Sequence, residues 1–225
     1  PRAVAHILGN RIPGGAARGL KRFPYAAGAA AKVDFVVREP IPWTDRRISN
    51  AGTVHLSGTA RALQEAERTN GSGRHAQHPF VLLSESGWHD PTRARDGLMP
   101  VWTYTHVPAG STQDVTETVI AQIERFAPGF RDIIVASQCV PAAEMHLHNA
   151  NYIGGDIGTG SASGYRLFAR PRPTVDPYRL GAPGYYLCSA AAPPASGVHG
   201  MVGHHAARRA LRHEFGISEP PDLSP

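Results

Sequence analysis

The chain has 225 residues, of which 41% are hydrophobic, so it can bury a core and is not expected to be disordered. Its formal charge is +5, but the arginines are scattered without interleaved aromatic residues, which argues against a nucleic-acid partner. Because no run of about 20 apolar residues and no secretory-type start is present, a cytoplasmic location is expected, with contact to a membrane surface left open. The two cysteines, Cys139 and Cys188, lack metal-type spacing and are expected to be small buried hydrophobic residues.

The first half of the chain alternates between short helices and short strands. Hydrophobic periodicity predicts two helices at 3–12 and 16–23, then a strand at 32–38. A strand at 53–57 precedes a helix that Thr59 caps and that buries Ala62, Leu63 and Ala66. Further strands are expected at 80–83 and 101–107, and the second of these alternates clearly, although its spacing does not decide which face is buried.

The second half contains the clearest helix, predicted from Ser111 to Phe126. Ser111 and Asp114 form a start that resembles a capping box, and a single apolar stripe is expected to face the core. A strand is predicted at 133–140, and Tyr185 to Cys188 is predicted to be a buried strand. A loop and a last helix beginning at Met201 follow. These elements indicate a mixed α+β fold rather than a doubly wound one.

The loop directly before the last helix has a chemistry of its own. The first N–H groups of a helix are unpaired, and the helix dipole adds partial positive charge at the same end. Gly197 and Gly200 carry no side chain, so a ligand can approach the backbone closely. This arrangement suits a phosphate or a ring carbonyl that gains negative charge, with an ordinary strand–loop–helix packing unit as the alternative.

The segment 189–207 resembles the C-terminal flavin-contacting segment of the phytoene desaturase-like FAD-dependent oxidoreductases. This group includes the carotenoid desaturases, the retinol saturases and pyridine nucleotide-disulphide oxidoreductase domain-containing protein two. In it a PPGGGVHGM-type loop opens the last helix; here Ala195 and Ser196 replace two of the three loop glycines. Other segments that resemble family landmarks are 32–34, 41–43, 52–56, 124–130 and 151–157.

The resemblance implies a function and a domain organisation. The implied cofactor is FAD, and the implied reaction is hydride transfer with flavin that desaturates or saturates C–C bonds of an apolar, isoprenoid-like substrate. Residues 1–31 would end a preceding region, 32–145 would form a substrate-binding domain with a mixed sheet, and 146–216 would be the C-terminal strand–loop–helix part of an FAD-binding domain. The tail 217–225 is expected to be frayed. Because the chain starts at Pro1 and lacks a GxGxxG motif, we expect a fragment, inactive alone, whose partner is a missing N-terminal dinucleotide-binding half.

The resemblance also implies site residues, whereas no catalytic residue is assigned. The residues expected at the flavin are Ser189, Ala190, Gly197, Val198, His199, Gly200 and Met201. The candidates for the wall of the substrate cavity, with ordinary packing as the alternative, are Trp102, Tyr104, His106, Asn151, Tyr152 and Asp156.

The sequence also bears on three other functions. A non-catalytic lipid- or protein-binding module without a nucleotide domain is the main alternative. No metal centre is expected, because neither His146 with His148 nor the pair His204 and His205 comes with the further ligands that zinc requires. The segment 160–164 is not the nucleophile elbow of a serine hydrolase, since Ala162 occupies its centre.

Overall fold

A computed structural model describes residues 1–25, 28–160, 164–219 and 222. The chain divides into a terminal unit, residues 1–26 with 158–225, and a sheet unit, residues 27–157. The helices are α1 (Arg2–Leu8), α2 (Gly14–Lys21), α3 (Ala60–Gly71), α4 (Ser86–His89), α5 (Thr116–Glu124), α6 (Phe130–Ile133), α7 (Met145–His148) and α8 (Met201–Phe215). The strands are β1 (Gly28–Val37), β2 (Val54–Leu56), β3 (Val81–Ser84), β4 (Met99–Pro108) and β5 (Ile134–Val140). This combination confirms the α+β class.

The five strands form one sheet with the order β2-β3-β4-β1-β5. The central pair, β1 and β4, runs antiparallel from Gly28 opposite Pro108 to Val37 opposite Met99. The other three pairs are also antiparallel. The described sheet is therefore antiparallel, not the mixed sheet that the resemblance implied.

One face of the sheet carries the core of the sheet unit. Val33, Phe35 and Val37 of β1 are buried, as their alternation predicted, and they share the core with residues of α5 and α6. The rings of Phe35 and Phe130 meet edge to face, with centroids 5.3 Å apart. Because an edge-to-face aromatic pair adds stability beyond the area that it buries, this contact fixes α6 against the sheet.

The structure also decides which face of β4 is buried. Val101, Thr103, Thr105 and Val107 face the core, although two of them are polar. The hydroxyl of Thr103 donates to the backbone carbonyl of Val33 at 2.6 Å, and that of Thr105 donates to a carbonyl of Phe80 at 2.7 Å. Buried threonines are tolerated here because their hydroxyl groups are hydrogen-bonded.

Two helix predictions need correction. Thr59 caps α3 as expected, but Ala62 is exposed, because the buried face of the helix runs through Ala66. Helix α5 begins at Thr116 instead of Ser111. The carboxylate of Asp114 accepts a hydrogen bond from the N–H of Thr116 at 2.8 Å, whereas the hydroxyl of Ser111 accepts one from the N–H of Gln113, before the helix.

The terminal unit has a separate apolar core. It consists of the inward faces of α1, α2 and α8 and of a segment that precedes the loop before α8. Its largest members are Leu8, Ile12, Leu20, Tyr178, Leu180, Leu187 and Val202. No helix in the described ranges is both long and apolar enough to cross a membrane. Residues 220, 221 and 223–225 of the expected frayed tail, and residues 161–163, lie outside the described residues.

The predicted strand from Tyr185 to Cys188 is wrong. Within the described residues this segment forms only one isolated bridge, between Arg179 and Tyr186, and the N–H of Leu187 donates to the carbonyl of Tyr178 at 2.7 Å. A strand requires consecutive paired residues, which this short contact does not supply. Cys188 is exposed and Cys139 only partly buried, so the expectation of two buried thiols is also corrected.

Candidate functional site

The loop before α8 borders a cleft of about 210 Å³ within the terminal unit. Five of the seven residues predicted to contact flavin line it, namely Ser189, Ala190, Gly197, His199 and Gly200. The other two, Val198 and Met201, do not line it. Cys188, Ala195, Val202 and Gly203 complete the lining. The structure thus gathers most of the predicted set around one small concave site, while its role in binding stays a prediction.

Three residues of this loop have backbone angles that favour glycine. Gly200 has φ 65° and Gly197 has φ 156°. A Cβ on Gly197 would lie 2.6 Å from Cδ2 of His199, so that position has no room for a side chain. Ala195 has φ 80° although it is not glycine. The loop therefore keeps a glycine-type backbone at Ala195, at a cost of roughly 1–2 kcal/mol.

The first backbone N–H groups of α8 differ in how they are satisfied. The N–H of Met201 donates to Nδ1 of His199 at 3.0 Å. In the part of the chain that the structure describes, the N–H groups of Val202 and Gly203 have no hydrogen-bond partner. Both residues line the cleft, and the N-terminus of a 15-residue helix carries partial positive charge. The cleft therefore offers two donors to a ligand oxygen.

Two buried side chains donate hydrogen bonds to backbone carbonyls of the loop. The guanidinium of Arg170, whose residue is only 2% exposed, donates to the carbonyls of Thr159 and Ala190, each at 2.6 Å. The hydroxyl of Tyr178 donates to the carbonyl of Pro193 at 2.8 Å. The sequence analysis did not identify either residue. Each contacts backbone 11 to 20 positions away, and no local sequence pattern predicts such a contact.

Three of the predicted cavity residues form a row on the open face of β4. The ring centroids of Trp102 and Tyr104 are 5.6 Å apart, and those of Tyr104 and His106 are 5.8 Å apart. Phe80 and His55 extend the row, with centroid distances of 4.8 Å from His106 to Phe80 and 5.2 Å from Phe80 to His55. Burial raises the pKa of the Tyr104 hydroxyl. We name these five residues the aromatic row.

A cleft of about 630 Å³ lies at one end of this face. Trp102 lines it together with Asp34 and Arg93, whereas Tyr104 and His106 do not. The remaining candidates, Asn151, Tyr152 and Asp156, lie in a separate segment around the turn Ile153–Gly155 and do not line this cleft. Asp156 is buried, while Asn151 is exposed. The six candidates therefore do not form a single wall within the sheet unit.

The histidines form no metal site within the described residues. Across the described residues, no group of three or more His, Cys, Asp or Glu side chains is placed to hold a metal ion. His146 and His148 lie in the short helix α7, where residues two positions apart point in different directions.

Comparison with known proteins relates the chain to oxidoreductases. Its curated relatives include the pyridine nucleotide-disulfide oxidoreductase domain-containing protein 2 of Mus musculus and that of Rattus norvegicus. The chain is 30% identical to each over 173 residues, which cover 71% of this chain and 30% of the relative. It thus spans about 30% of the length of these relatives. No family model matches the chain. This similarity supports the oxidoreductase group that the resemblance named, at the level of these relatives.

Proposed function

We propose that the chain is the C-terminal part of an FAD-dependent oxidoreductase and that the cleft before α8 holds part of the flavin. The observation that carries this proposal is that the N–H groups of Val202 and Gly203, at the lining of the cleft, have no partner within the described residues. Reduced flavin bears negative charge, and preorganised backbone donors at a helix N-terminus stabilise such charge. The open space at the Cβ position of Gly200, where no atom lies within 4 Å, fits the close approach of a flat ring.

The size of the cleft agrees with a partial cofactor site. Its volume of about 210 Å³ is below the range of about 300–1,000 Å³ that is usual for pockets that enclose a whole ligand. We propose that an N-terminal dinucleotide-binding half supplies the rest of the site, including the contacts to the ADP portion of FAD. On this proposal the present chain is inactive alone.

When bound, flavin supplies the hydride chemistry, and the chain supplies binding and orientation. Arg170 fixes the carbonyl of Ala190, and the His199 side chain orients the first turn of α8. We propose that the aromatic row contacts an apolar, isoprenoid-like substrate, because aromatic rings bury large apolar surfaces. Asn151, Tyr152 and Asp156 stay as further candidates for substrate contact. A cytoplasmic, membrane-peripheral location is part of the same proposal.

The proposal is tested by titrating the chain with FAD and following flavin absorbance and fluorescence. The informative variant is Gly203→Met: a Cβ at Gly203 meets Sγ of Cys188 at an ordinary 3.5 Å, and the rest of the new side chain fills the cleft. The matched control is Ala207→Met, one turn further along α8 at an exposed position. We expect saturable binding that Gly203→Met weakens by about tenfold or more, while Ala207→Met leaves it unchanged.

If the chain alone binds no FAD, the same pair of variants is made in the protein encoded by the complete reading frame. A yellow protein that loses its flavin with Gly203→Met but keeps it with Ala207→Met supports the proposal. A complete protein without flavin overturns it and favours the alternative, a non-catalytic lipid- or protein-binding module.

A further inference from the structure

A second cavity of the terminal unit lies against the second half of α8. Its volume is about 190 Å³, and its lining comprises Tyr178, His205, Arg208, Arg209, Arg212 and Ser218. The four lining residues of α8 follow the spacing i, i+3, i+4, i+7, so they share one face of the helix. We name this site the arginine cavity. None of its lining residues lines the cleft before α8.

The cavity has an excess of positive charge. The acidic residue that pairs with its lining is Asp176, whose Oδ1 lies 3.6 Å from Nε of Arg209. Among the described residues, Arg208 and Arg212 form no ion pair. The lining therefore has three guanidinium groups and one paired carboxylate, and that carboxylate also lies 3.7 Å from Nε2 of His213. Such a cavity attracts an anion.

One donor in this cavity is buried without an acceptor. Nε of Arg209 is inaccessible to solvent and makes no hydrogen bond within the described residues, because 3.6 Å to Asp176 is too long for one. Arginines near a helix C-terminus are also favoured by the helix dipole, which accounts for an exposed cation such as Arg212. The dipole does not account for a desolvated N–H, since burying an unpaired donor is unfavourable. An anionic ligand would give the partly exposed guanidinium group of Arg209 a second partner besides Asp176.

We propose that the arginine cavity binds a phosphate group. Guanidinium groups bind phosphate oxygens through paired N–H donors, and three of them line this cavity. Tyr178 contributes a wall and not a donor, because its hydroxyl is engaged by the Pro193 carbonyl and its ring lies 5.8 Å from that of His205. A volume of about 190 Å³ is several times the roughly 30 Å³ share of one water molecule, which suits a phosphate or a diphosphate.

The phosphate has two conceivable sources, a small soluble molecule and a lipid head group. Phe215 and Ile217 follow the arginines and are exposed by 72% and 42%, which is the pairing of basic and apolar residues that binds anionic membranes. The first experimental arm therefore uses inorganic pyrophosphate, measured by calorimetry. The second arm uses sedimentation with phosphatidylcholine vesicles that contain or lack phosphatidic acid.

The test compares Arg208→Gln with Arg18→Gln in the 225-residue chain. Both variants remove one positive charge from an exposed helical position of the terminal unit, but only Arg208 lines the cavity. We expect Arg208→Gln to weaken binding about tenfold and Arg18→Gln to change it less than twofold. Arg208→Lys keeps the charge and loses the planar fork, so it should recover only part of the affinity. Circular dichroism checks that each variant is folded.

Each outcome bears on the proposal. Selective weakening in the pyrophosphate arm supports a soluble source, and selective weakening only with phosphatidic acid vesicles supports a lipid head group. Binding that both glutamine variants weaken equally would reflect overall charge and would overturn a specific site. Absence of binding in both arms would also overturn it. None of these results depends on whether the chain binds flavin.

Discussion

Nδ1 of His199 accepts a hydrogen bond from the backbone N–H of Met201 at 3.0 Å, so a side chain outside α8 satisfies the first donor of the helix. The next two donors, on Val202 and Gly203, are unpartnered within the described residues. The protein therefore uses one of its first three helix N–H groups for its own stability and leaves two at the cleft. This division gives His199 a structural role and leaves the N–H groups of Val202 and Gly203 for the ligand that we propose.

The structural role of His199 predicts that His199→Ala lowers the free energy of unfolding by about 1 kcal/mol, the usual cost of losing a side-chain cap. The control is His204→Ala on the same helix, where an exposed histidine makes no side-chain hydrogen bond. Because alanine favours a helix, that variant should change stability by no more than about 0.5 kcal/mol, toward greater stability. Urea unfolding measures both, and equal losses would contradict the capping role.

Gly200 is the second determinant of the loop, and Gly200→Ala should destabilise the chain by about 1–2 kcal/mol. The new Cβ meets no atom within 4 Å, so the cost comes from φ 65° alone. The control is Gly15→Ala in α2, which also has open space but an ordinary helical backbone. It should instead stabilise by roughly 0.5–1 kcal/mol. Opposite signs in thermal unfolding support the assignment; a loss at both positions would contradict it.

Sequence periodicity was sufficient where one face of an element meets a core. The stripe Val115, Val119 and Ile123 was predicted because local side-chain spacing sets it. For β4 the spacing predicted the alternation but not which face is buried. The prediction of a strand around Tyr186 was wrong, because an apolar run becomes a strand only when another segment pairs with it. The lining of the arginine cavity could not be predicted for the same reason, since Tyr178 and Arg208 are far apart in the sequence.

The candidate cleft shows the same division. The glycine-bearing loop and the helix start were readable from the sequence because each depends on local backbone chemistry. The supports beneath the loop depend on distant contacts, as between Arg170 and the carbonyl of Ala190. The sequence therefore indicated where a ligand could meet the backbone, but it did not indicate which buried side chains hold that backbone in place.

The pair Asp45 and Arg47 gives a prediction about pH. The hydrogen-bonded guanidinium of Arg47 lowers the pKa of Asp45 from 3.8 to about 2, with Nη2 at 2.7 Å from Oδ2. Since the folded-state pKa is the lower one, the stabilisation is present above pH 3.8 and is lost as the pH falls toward 2. Carboxyl NMR should show Arg47→Gln raising this pKa only part of the way, because the backbone N–H of residue 47 still donates to Oδ1. An unchanged pKa would contradict the assignment.

The core of the sheet unit is tested at Phe130, which is fully buried against Phe35. Phe130→Ala should cost about 3–5 kcal/mol, because it removes a large buried ring and leaves a cavity. Val135→Ala on β5, half exposed, is the comparison and should cost less than about 1 kcal/mol. Denaturant unfolding followed by tryptophan fluorescence measures both. Comparable losses would mean that the sheet does not depend on this core.

Arg170 provides the last prediction, since its side chain joins two backbone carbonyls beneath the loop. Arg170→Met preserves much of the apolar stem but leaves the carbonyls of Thr159 and Ala190 without their charged donor. Leaving a buried acceptor unpaired costs about 1–3 kcal/mol, and both carbonyls belong to partly buried residues, so we expect a loss of about 2 kcal/mol. Lys21→Met, at an exposed position of α2, is the control and should change stability by about 0.5 kcal/mol or less. Hydrogen exchange locates the effect. If Arg170 holds the loop, the Ala191 and Ala192 amides exchange faster in Arg170→Met and not in Lys21→Met. Unchanged exchange of these amides in Arg170→Met would refute this role of Arg170.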